Sequence, residues 1–349
     1  MTGTAPPLGV LMEREMREQP EVAQRLLDAF AGIRAAVHGQ RPEPGRGVVL
    51  IARGSSDHAA VYARYVLEHT LQVPVALAAP SLATRYRAVP RLEGWTALAI
   101  SQSGATPEIV DVLAACRRNG ARGIAVTNDA DSPLAGAADV TVALGAGPEL
   151  AVPATKTATA SFLAVALVAE ACAGRSTATS ALRAVPDALH RVLESPEGLA
   201  AAVESVTRAA GVVSLGRGFV YPAALESALK IKESSGVPAE GASGADFLHG
   251  PIAALAGRLV LCHALTGPTA ADAAALAARL RDEGVPVVGI GDHVPHLTAH
   301  LPVHAEALPE PLRVLPALVR GQQIALGTAR ALGVDPDAPP ALSKITRTS

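Results

Sequence analysis

Three ionisable residues in the second half of the chain recur at helical spacing. Glu226, Lys230 and Glu233 lie four and three residues apart within ALESALKIKESSG, so a helix would carry them along one face. A carboxylate held beside an ammonium group can move protons at a carbon next to a carbonyl. The same spacing also fits a solvated, salt-bridged helix surface, and spacing alone leaves both interpretations open.

Two further residues could act as acids or bases but have no fixed spacing to that helix. His249 lies in DFLHGP, just before a turn signal, and Lys344 lies close to the C-terminus in LSKITRTS. Histidine can exchange a proton near neutral pH, and a lysine can form an imine or stabilise an oxyanion. A structural histidine and a solubilising lysine are the alternatives.

Hydroxyl side chains follow two apolar segments of the first half. Ser101–Thr106 reads SQSGAT after one segment and opens a helical pattern, and Gly54-Ser55-Ser56 follows another. Backbone N–H groups at a helix N-terminus, hydroxyls and a glycine together suit a phosphate group. Capping by Thr106 with Pro107 in the first helical turn is the alternative for the hexapeptide. Two such turns on neighbouring strands favour phosphate or sugar binding.

Other ligand signatures are weak or missing. The chain has no GxxxxGK, and neither Gly45-Arg46-Gly47 nor Gly216-Arg217-Gly218 continues as GxGxxG, so we expect no nucleotide and no cofactor. Histidines at metal-ligand spacing occur in DHVPHLTAHLPVH, at His293, His296, His300 and His304. Prolines within that segment interrupt a continuous helix, so we expect no metal site.

The elements that would position these residues occur twice. The segment beginning at Val48 matches the one beginning at Val212, with Arg53-Gly54 on Arg217-Gly218, and further on Ser103-Gly104 falls on Thr266-Gly267. Each copy alternates short apolar runs with helical patterns, which predicts an α/β fold with two parallel sheets covered by helices.

In the first copy we place five strands and a closing helix. The strands are predicted near Val48–Ala52, Val75–Ala78, Ala97–Ser101, Gly123–Thr127 and Val140–Ala143, and the helix near Thr155–Ala173. Gly174–Ser180 is the predicted linker. We expect an N-terminal helical lead-in at 1–45, a phosphosugar-binding first domain at 46–176, a second domain with the acid/base residues at 177–331 and a tail at 332–349 that closes over the site.

Composition limits the function further. The 349 residues carry a formal net charge of −2, and lysine and arginine are dispersed, which argues against nucleic-acid or membrane partners. The three cysteines, Cys116, Cys172 and Cys262, are far apart and indicate neither disulfides nor a zinc knuckle. The N-terminus does not resemble a signal peptide, so we expect a cytoplasmic protein with a small-molecule ligand.

Several motifs in a fixed order resemble one known family. SQSGATPE, VPATKT, LGRGFVYPAALESALKIKE, FLHGP and LSKITRTS are similar to successive motifs of the SIS (sugar isomerase) family, in particular the isomerase domain of glucosamine-6-phosphate synthase (glutamine-fructose-6-phosphate aminotransferase) and glutaminase-free glucosamine-6-phosphate deaminases. The resemblance implies two tandem SIS domains, each a parallel five-stranded sheet flanked by helices in a flavodoxin-like three-layer sandwich.

The resemblance also implies roles for individual residues. Glu233 would be the proton-transfer base, Lys230 would orient it or the open-chain sugar, His249 from a partner subunit would open the ring, and Lys344 would be the ring-opening or Schiff-base lysine. The phosphate and sugar hydroxyls would be bound by side chains of the first half and by backbone of VPATKT: Ser55, Ser56, Ser101, Gln102, Ser103, Thr106, Val152 and Ala154. The chain departs from the synthase pattern at Ala154, where that pattern has serine, and at Leu248, where it has lysine.

These roles predict an enzyme acting on a phosphosugar as a homodimer with a shared site. No cysteine follows Met1, so we expect no glutamine hydrolysis and instead the conversion of glucosamine 6-phosphate into fructose 6-phosphate and ammonia. A deglycase for fructosyl-amine 6-phosphates would use the same chemistry. A sugar-phosphate sensor without turnover is the alternative from another class, although it has no need for Glu233, His249 and Lys344 together.

Overall fold

The computed structural model describes residues 7–340 together with Leu342 and Lys344. It contains two parallel five-stranded sheets with helices packed against them. The predicted fold class is therefore confirmed. Most of the terminal motif LSKITRTS lies outside the described residues.

The first sheet has the strand order β2-β1-β3-β4-β5. All its pairs are parallel, and the central strand β3 is buried along its whole length, which explains its continuous apolar sequence. The strands lie within about one residue of the predicted segments: β1 Val48–Ile51, β2 Val75–Leu77, β3 Thr96–Ile100, β4 Arg122–Thr127 and β5 Val140–Ala143.

The second sheet repeats this topology, with the order β10-β9-β8-β6-β7. Its strands are also all parallel, so the internal repeat of the sequence corresponds to a duplicated fold. The strands are β6 Gly211–Gly216, β7 Ala239–Ser243, β8 Arg258–Ala264, β9 Val287–Gly291 and β10 Ala299–Leu301.

Helices connect the strands and cover the sheets. Those up to the end of the first copy are α1 Val10–Arg17, α2 Gln19–Asp28, α3 Phe30–Val37, α4 Ser55–Leu71, α5 Pro80–Thr84, α6 Pro107–Arg118, α7 Pro133–Ala137 and α8 Lys156–Cys172. Those of the remaining chain are α9 Ser180–Arg183, α10 Val185–Glu194, α11 Leu199–Arg208, α12 Tyr221–Ser235, α13 Gly244–Phe247, α14 Ala270–Asp282 and α15 Glu310–Ala331.

Small residues let helix α12 pack closely against α15. A Cβ at Gly321 of α15 would lie 2.1 Å from the Ser227 hydroxyl of α12, so only glycine fits there. Ala223, Ala224 and Ala228 of α12 are buried. The alanine-rich composition thus allows the close helix packing that fixes α12, the helix that carries Glu226, Lys230 and Glu233.

The compact units of the molecule do not follow chain order. One contains residues 7–20, Glu149–Thr155 and 184–340 with Leu342 and Lys344, and the other contains residues 21–148 and 156–183. We call them the C-terminal unit and the N-terminal unit. The domain boundaries predicted from the sequence remain a prediction.

Two further features concern the class of protein. No helix among the described residues is long and apolar enough to cross a bilayer. All three cysteines are free and buried.

Candidate functional site

The hexapeptide at Ser101–Thr106 forms the turn between β3 and α6 in the N-terminal unit. Thr106 is the N-cap residue of α6 and Pro107 lies in its first turn, but the Thr106 side chain makes no capping hydrogen bond. The capping alternative therefore does not explain the hydroxyl. Ser103 Oγ accepts a hydrogen bond from the Ala105 N–H at 3.3 Å, which keeps this side chain beside the helix N-terminus.

Gly104 fixes the shape of that turn. Its φ is +61°, and a Cβ there would lie 2.1 Å from Ser132 Oγ and 2.8 Å from Thr127 Oγ1. Both the backbone angle and the crowding require glycine. The Gly104 carbonyl accepts a hydrogen bond from the Leu134 N–H at 3.0 Å, so the turn is held against the following βα connection.

The second hydroxyl-rich turn lies at the end of β1. Gly54, with φ +61°, precedes α4, whose first turn contains Ser55, Ser56 and Asp57. Burial raises the pKa of the Asp57 carboxyl, against the opposing effect of His58 and Arg53. Since β1 and β3 are neighbours while β2 lies on the other side of β1, the two turns flank the point where the strand order reverses. Ligands of open parallel sheets bind at this point.

Helix α12 holds a buried cation between two carboxylates in the C-terminal unit. Lys230 Nζ lies 2.5 Å from Glu233 Oε2 and 3.4 Å from Glu226 Oε1. The side chains of Lys230 and Glu226 are each 1% exposed, whereas that of Glu233 is 26% exposed. The solvated-surface alternative is therefore wrong, because two of the three charges are buried.

The carboxylates keep Lys230 protonated. Burial opposes the charged form, but the charges of Glu226 and Glu233 outweigh it and raise the pKa of Lys230 above its ordinary value. A permanently protonated lysine does not serve as a base or as a nucleophile. Its geometry instead fits orientation of the Glu233 carboxylate, which is the group with access to solvent.

Lys344 contacts the same cluster through Glu149. Lys344 Nζ donates hydrogen bonds to Glu149 Oε2 and to the Ala151 carbonyl, both at 2.7 Å. The Glu149 charge also contributes to the raised pKa of Lys230, so both ammonium groups interact with this carboxylate. Lys344 is thus fixed at Glu149, and the interpretation of Lys344 as a solubilising charge is wrong.

Glu149 and Glu15 hold the backbone of the segment Glu149–Thr155. Glu15 of α1 is fully buried, and its Oε1 and Oε2 accept hydrogen bonds from the N–H groups of Leu150 and Ala151, at 2.5 and 3.2 Å. Glu149 Oε1 accepts one from the Thr155 N–H at 3.0 Å. Sequence reasoning missed both glutamates, although Glu15 falls between Met12 and Met16 on the buried face of α1.

Within that segment, burial alternates along the backbone. Ala151, Pro153 and Thr155 are buried, whereas Val152 and Ala154 are half-buried. The side chains of the two residues predicted to complete the sugar site therefore point away from the packed side of the segment.

His249 makes no side-chain hydrogen bond or ion pair with the carboxylate cluster among the described residues of the C-terminal unit. It is exposed in the turn after α13, and its N–H donates to the Asp246 carbonyl at 3.0 Å. Among the described residues no side-chain hydrogen bond or ion pair joins it to Glu233. Its predicted role in a partner's site stays a prediction.

The histidine-rich segment does not gather ligands for a metal ion. Over the described part of the chain, no group of three or more His, Cys, Asp or Glu side chains is arranged to hold one. The rings of His293 and His300 pack edge to face, and the His300 Nε2 lies 2.9 Å from the Gly291 carbonyl oxygen.

Comparison with known proteins agrees with the duplicated topology. The SIS domain model matches residues 45–171 and 206–319. The chain belongs to the SIS domain family. A glutamine–fructose-6-phosphate aminotransferase of Mycolicibacterium smegmatis is 32% identical over 358 residues, which cover 95% of this chain and 56% of that protein. This SIS chain thus spans about half the length of the curated relatives it matches.

Solved structures give the same result. A provisionally named phosphosugar isomerase from Silicibacter pomeroyi is 34% identical, with a TM-score of 0.82 over 93% of this SIS chain and 99% of that one. Glucosamine-6-phosphate deaminase from Thermotoga maritima is 23% identical, with a TM-score of 0.73 over 97% of this chain and 100% of that one. At this identity the second match speaks for the fold alone.

Proposed function

We propose that this SIS protein is an amino-sugar phosphate isomerase that converts glucosamine 6-phosphate into fructose 6-phosphate and ammonia. The observation that carries the proposal is the carboxylate of Glu233, partly exposed and hydrogen-bonded at 2.5 Å to the buried ammonium of Lys230. A carboxylate oriented in this way suits proton transfer between two neighbouring carbons. The SIS match and the relatives named for fructose 6-phosphate support the substrate class.

The turns after β1 and β3 are assigned to the phosphate and the sugar hydroxyls. Ser55, Ser56, Ser101, Gln102, Ser103 and Thr106 would donate or accept these hydrogen bonds, beside the N-termini of α4 and α6. Helix N-termini favour anions through their free N–H groups and the helix dipole. The backbone around Val152 and Ala154 is assigned to the remaining sugar contacts.

The reaction balances with water as the only co-reactant. After ring opening, assigned to His249, Glu233 takes the proton from C2 and returns it to C1, while a second proton passes from the C2 amino group to O1. The aldehyde thereby becomes a hydroxymethyl group, and C2 becomes an imine. Water adds to the imine, and ammonia leaves as the C2 carbonyl forms. The ammonium of Lys344 is assigned to stabilise negative charge on the enediol-type intermediate. In the alternative route, its neutral amine displaces ammonia from C2 to form a transient imine, which water then hydrolyses to the ketone and the free lysine.

The assay uses purified protein with glucosamine 6-phosphate and measures ammonia and fructose 6-phosphate. Glu233→Gln should lower kcat by about 10²-fold to 10⁴-fold while glucosamine 6-phosphate still raises Tm. The exposed Glu204→Gln variant, which alters only a surface ion pair with Arg208, is the control and should keep full activity. Retained turnover in Glu233→Gln would refute the assignment of the base.

The same assay separates the alternatives. Turnover of a fructosyl-amine 6-phosphate with none of glucosamine 6-phosphate would favour a deglycase. A rise in Tm with either sugar but no product at high enzyme concentration would favour a sensor.

The proposal includes a homodimer in which His249 completes the partner's site. Mixing inactive His249→Ala and Glu233→Gln variants should restore part of the activity when subunits exchange, because a hybrid dimer would contain one intact site. Sedimentation of a fully active monomer would contradict this part of the proposal.

A further inference from the structure

A cavity borders the second sheet at the point where its strand order reverses, between β6 and β8. It lies where β6 and β8 end, encloses about 230 Å³ and is lined by residues of β6, β8, the α13 turn and α14. Since β6 and β8 correspond to β1 and β3 of the first sheet, the cavity occupies the position at which open parallel sheets bind ligands. None of the residues assigned to the sugar lines it.

The turn beside this cavity, at Thr266-Gly267, does not offer free hydrogen-bond donors to a phosphate. Thr266, which corresponds to Ser103, donates its N–H and its hydroxyl to Asp292 Oδ2 at 2.5 and 2.7 Å. A Cβ at Gly267 would lie 2.3 Å from Glu310 Oε2, so a second carboxylate packs against the same turn. The protein's own carboxylates thus occupy the donors that a phosphate would need.

The walls of the cavity are apolar. They include Leu215, Ala245, Leu248, Ala273 and Leu276, and Leu248 is 42% exposed although it is a large aliphatic residue. An apolar wall of this kind favours a ligand with an aromatic or branched aliphatic body.

The rim of the cavity carries two exposed arginines, each paired with one acid, and Arg279 pairs with Glu283 at 3.1 Å. Arg217 and Arg279 line it together with Asp272, which already pairs with Arg217 at 3.0 Å. Both side chains of that pair are about half exposed, so the pair is weak and its guanidinium can bind a further anion. A carboxylate is the complementary group, because arginine binds it through two parallel hydrogen bonds.

We infer that this cavity is a second binding site, specific for a small organic carboxylate with a compact apolar body. The carboxylate binds at Arg217 and Arg279, and the body lies against Leu248, Ala273 and Leu276. The site does not depend on the proposed isomerase activity, because none of its residues belongs to the proposed catalytic set.

The test is equilibrium dialysis of the full chain with 2-naphthoate, without sugar phosphate. We expect saturable binding of one molecule per chain. Ala273→Phe fills the cavity and should abolish it, whereas Ala271→Phe, on the exposed side of the same helix, should not. Absence of saturable binding at millimolar 2-naphthoate, or equal binding by the two variants, would overturn the inference.

A second pair of measurements does not depend on a core substitution. Arg279→Gln should weaken 2-naphthoate binding by about tenfold, which corresponds to one charge-assisted hydrogen bond, and should leave the binding of neutral 2-naphthamide unchanged. Arg279 is about half exposed and pairs only with Glu283 among the ion pairs of the described residues, so folding should be preserved. Equal loss of both ligands, or no loss of either, would refute the role of the rim.

Discussion

Lys344 Nζ donates a hydrogen bond to Glu149 Oε2 at 2.7 Å, across 195 residues of sequence. Glu149 in turn holds the Thr155 N–H, so one buried carboxylate joins the end of the described chain to the segment Glu149–Thr155. This bond gives Lys344 a defined position against the segment Glu149–Thr155.

Loss of the Glu149 charge should release the tail. In Glu149→Gln the ammonium of Lys344 keeps only the Ala151 carbonyl as a hydrogen-bond partner, so we expect trypsin to cleave after Lys344 several times faster than in the unsubstituted protein. Mass spectrometry of a short digestion measures this rate. Glu204→Gln is the control, and equal rates for the two variants would contradict the prediction.

Replacement of Lys230 should strongly lower the stability of the protein, although its spacing in the sequence also fits a solvated helix surface. Lys230→Met leaves Glu226 as a buried charge without this cation, so we expect the free energy of unfolding to fall by about 3–5 kcal/mol. Urea unfolding measures the change. The double variant Glu226→Gln with Lys230→Met removes the stranded charge and should recover part of the loss; an additive result would argue against the pairing.

The turn at Ser101–Thr106 should not tolerate a side chain at Gly104. Gly104→Ala combines a positive φ with a contact of 2.1 Å to Ser132, so we expect a loss of about 1–3 kcal/mol in unfolding free energy and a higher KM for the sugar phosphate. Gly136→Ala is the matched control, since a Cβ there meets nothing within 4 Å, and it should be neutral or slightly stabilising.

Glu15 should make stability depend on pH. Burial raises the pKa of its carboxyl above the ordinary value of 4.5, against the hydrogen bond from Leu150. Between the unfolded and the folded pKa the folded state binds more protons, so the unfolding free energy falls as pH rises through that window and the contribution is fully present below 4.5.

Glu15→Gln should remove this slope. Urea unfolding of both proteins at several pH values from 4.5 upward compares them, with the exposed Glu21→Gln as control. Parallel curves for the unsubstituted protein and Glu15→Gln would show that Glu15 does not titrate differently on folding.

Patterns of short range predicted the fold well. The sequence predicts a strand near Val140–Ala143, and the structure has β5 at these residues, because an apolar run between turn signals is a local property. The spacing of Glu226, Lys230 and Glu233 likewise placed them on one helix. What the spacing could not decide was burial, because this depends on the packing of α15 against α12.

Long-range partners could not be predicted in this way. Glu15 appears in the sequence as one acid among the charges of MEREMREQ, and only its place between Met12 and Met16 hints that it is buried. Its partners, the N–H groups of Leu150 and Ala151, are supplied by a segment about 135 residues away. No periodicity connects the two.

The interleaving of the two compact units has a consequence for the order of folding during synthesis. All the described residues of the N-terminal unit have left the ribosome once residue 183 is free. In contrast, α1 and the segment Glu149–Thr155 need partners that come later, because Arg330 of α15 donates to Glu13 of α1 and Gln322 of α15 donates to the Thr155 carbonyl. The N-terminal unit can therefore become native first. Helix α1 must wait for α15, so the contacts that hold α1 and the segment Glu149–Thr155 form only after residue 331 has been synthesised.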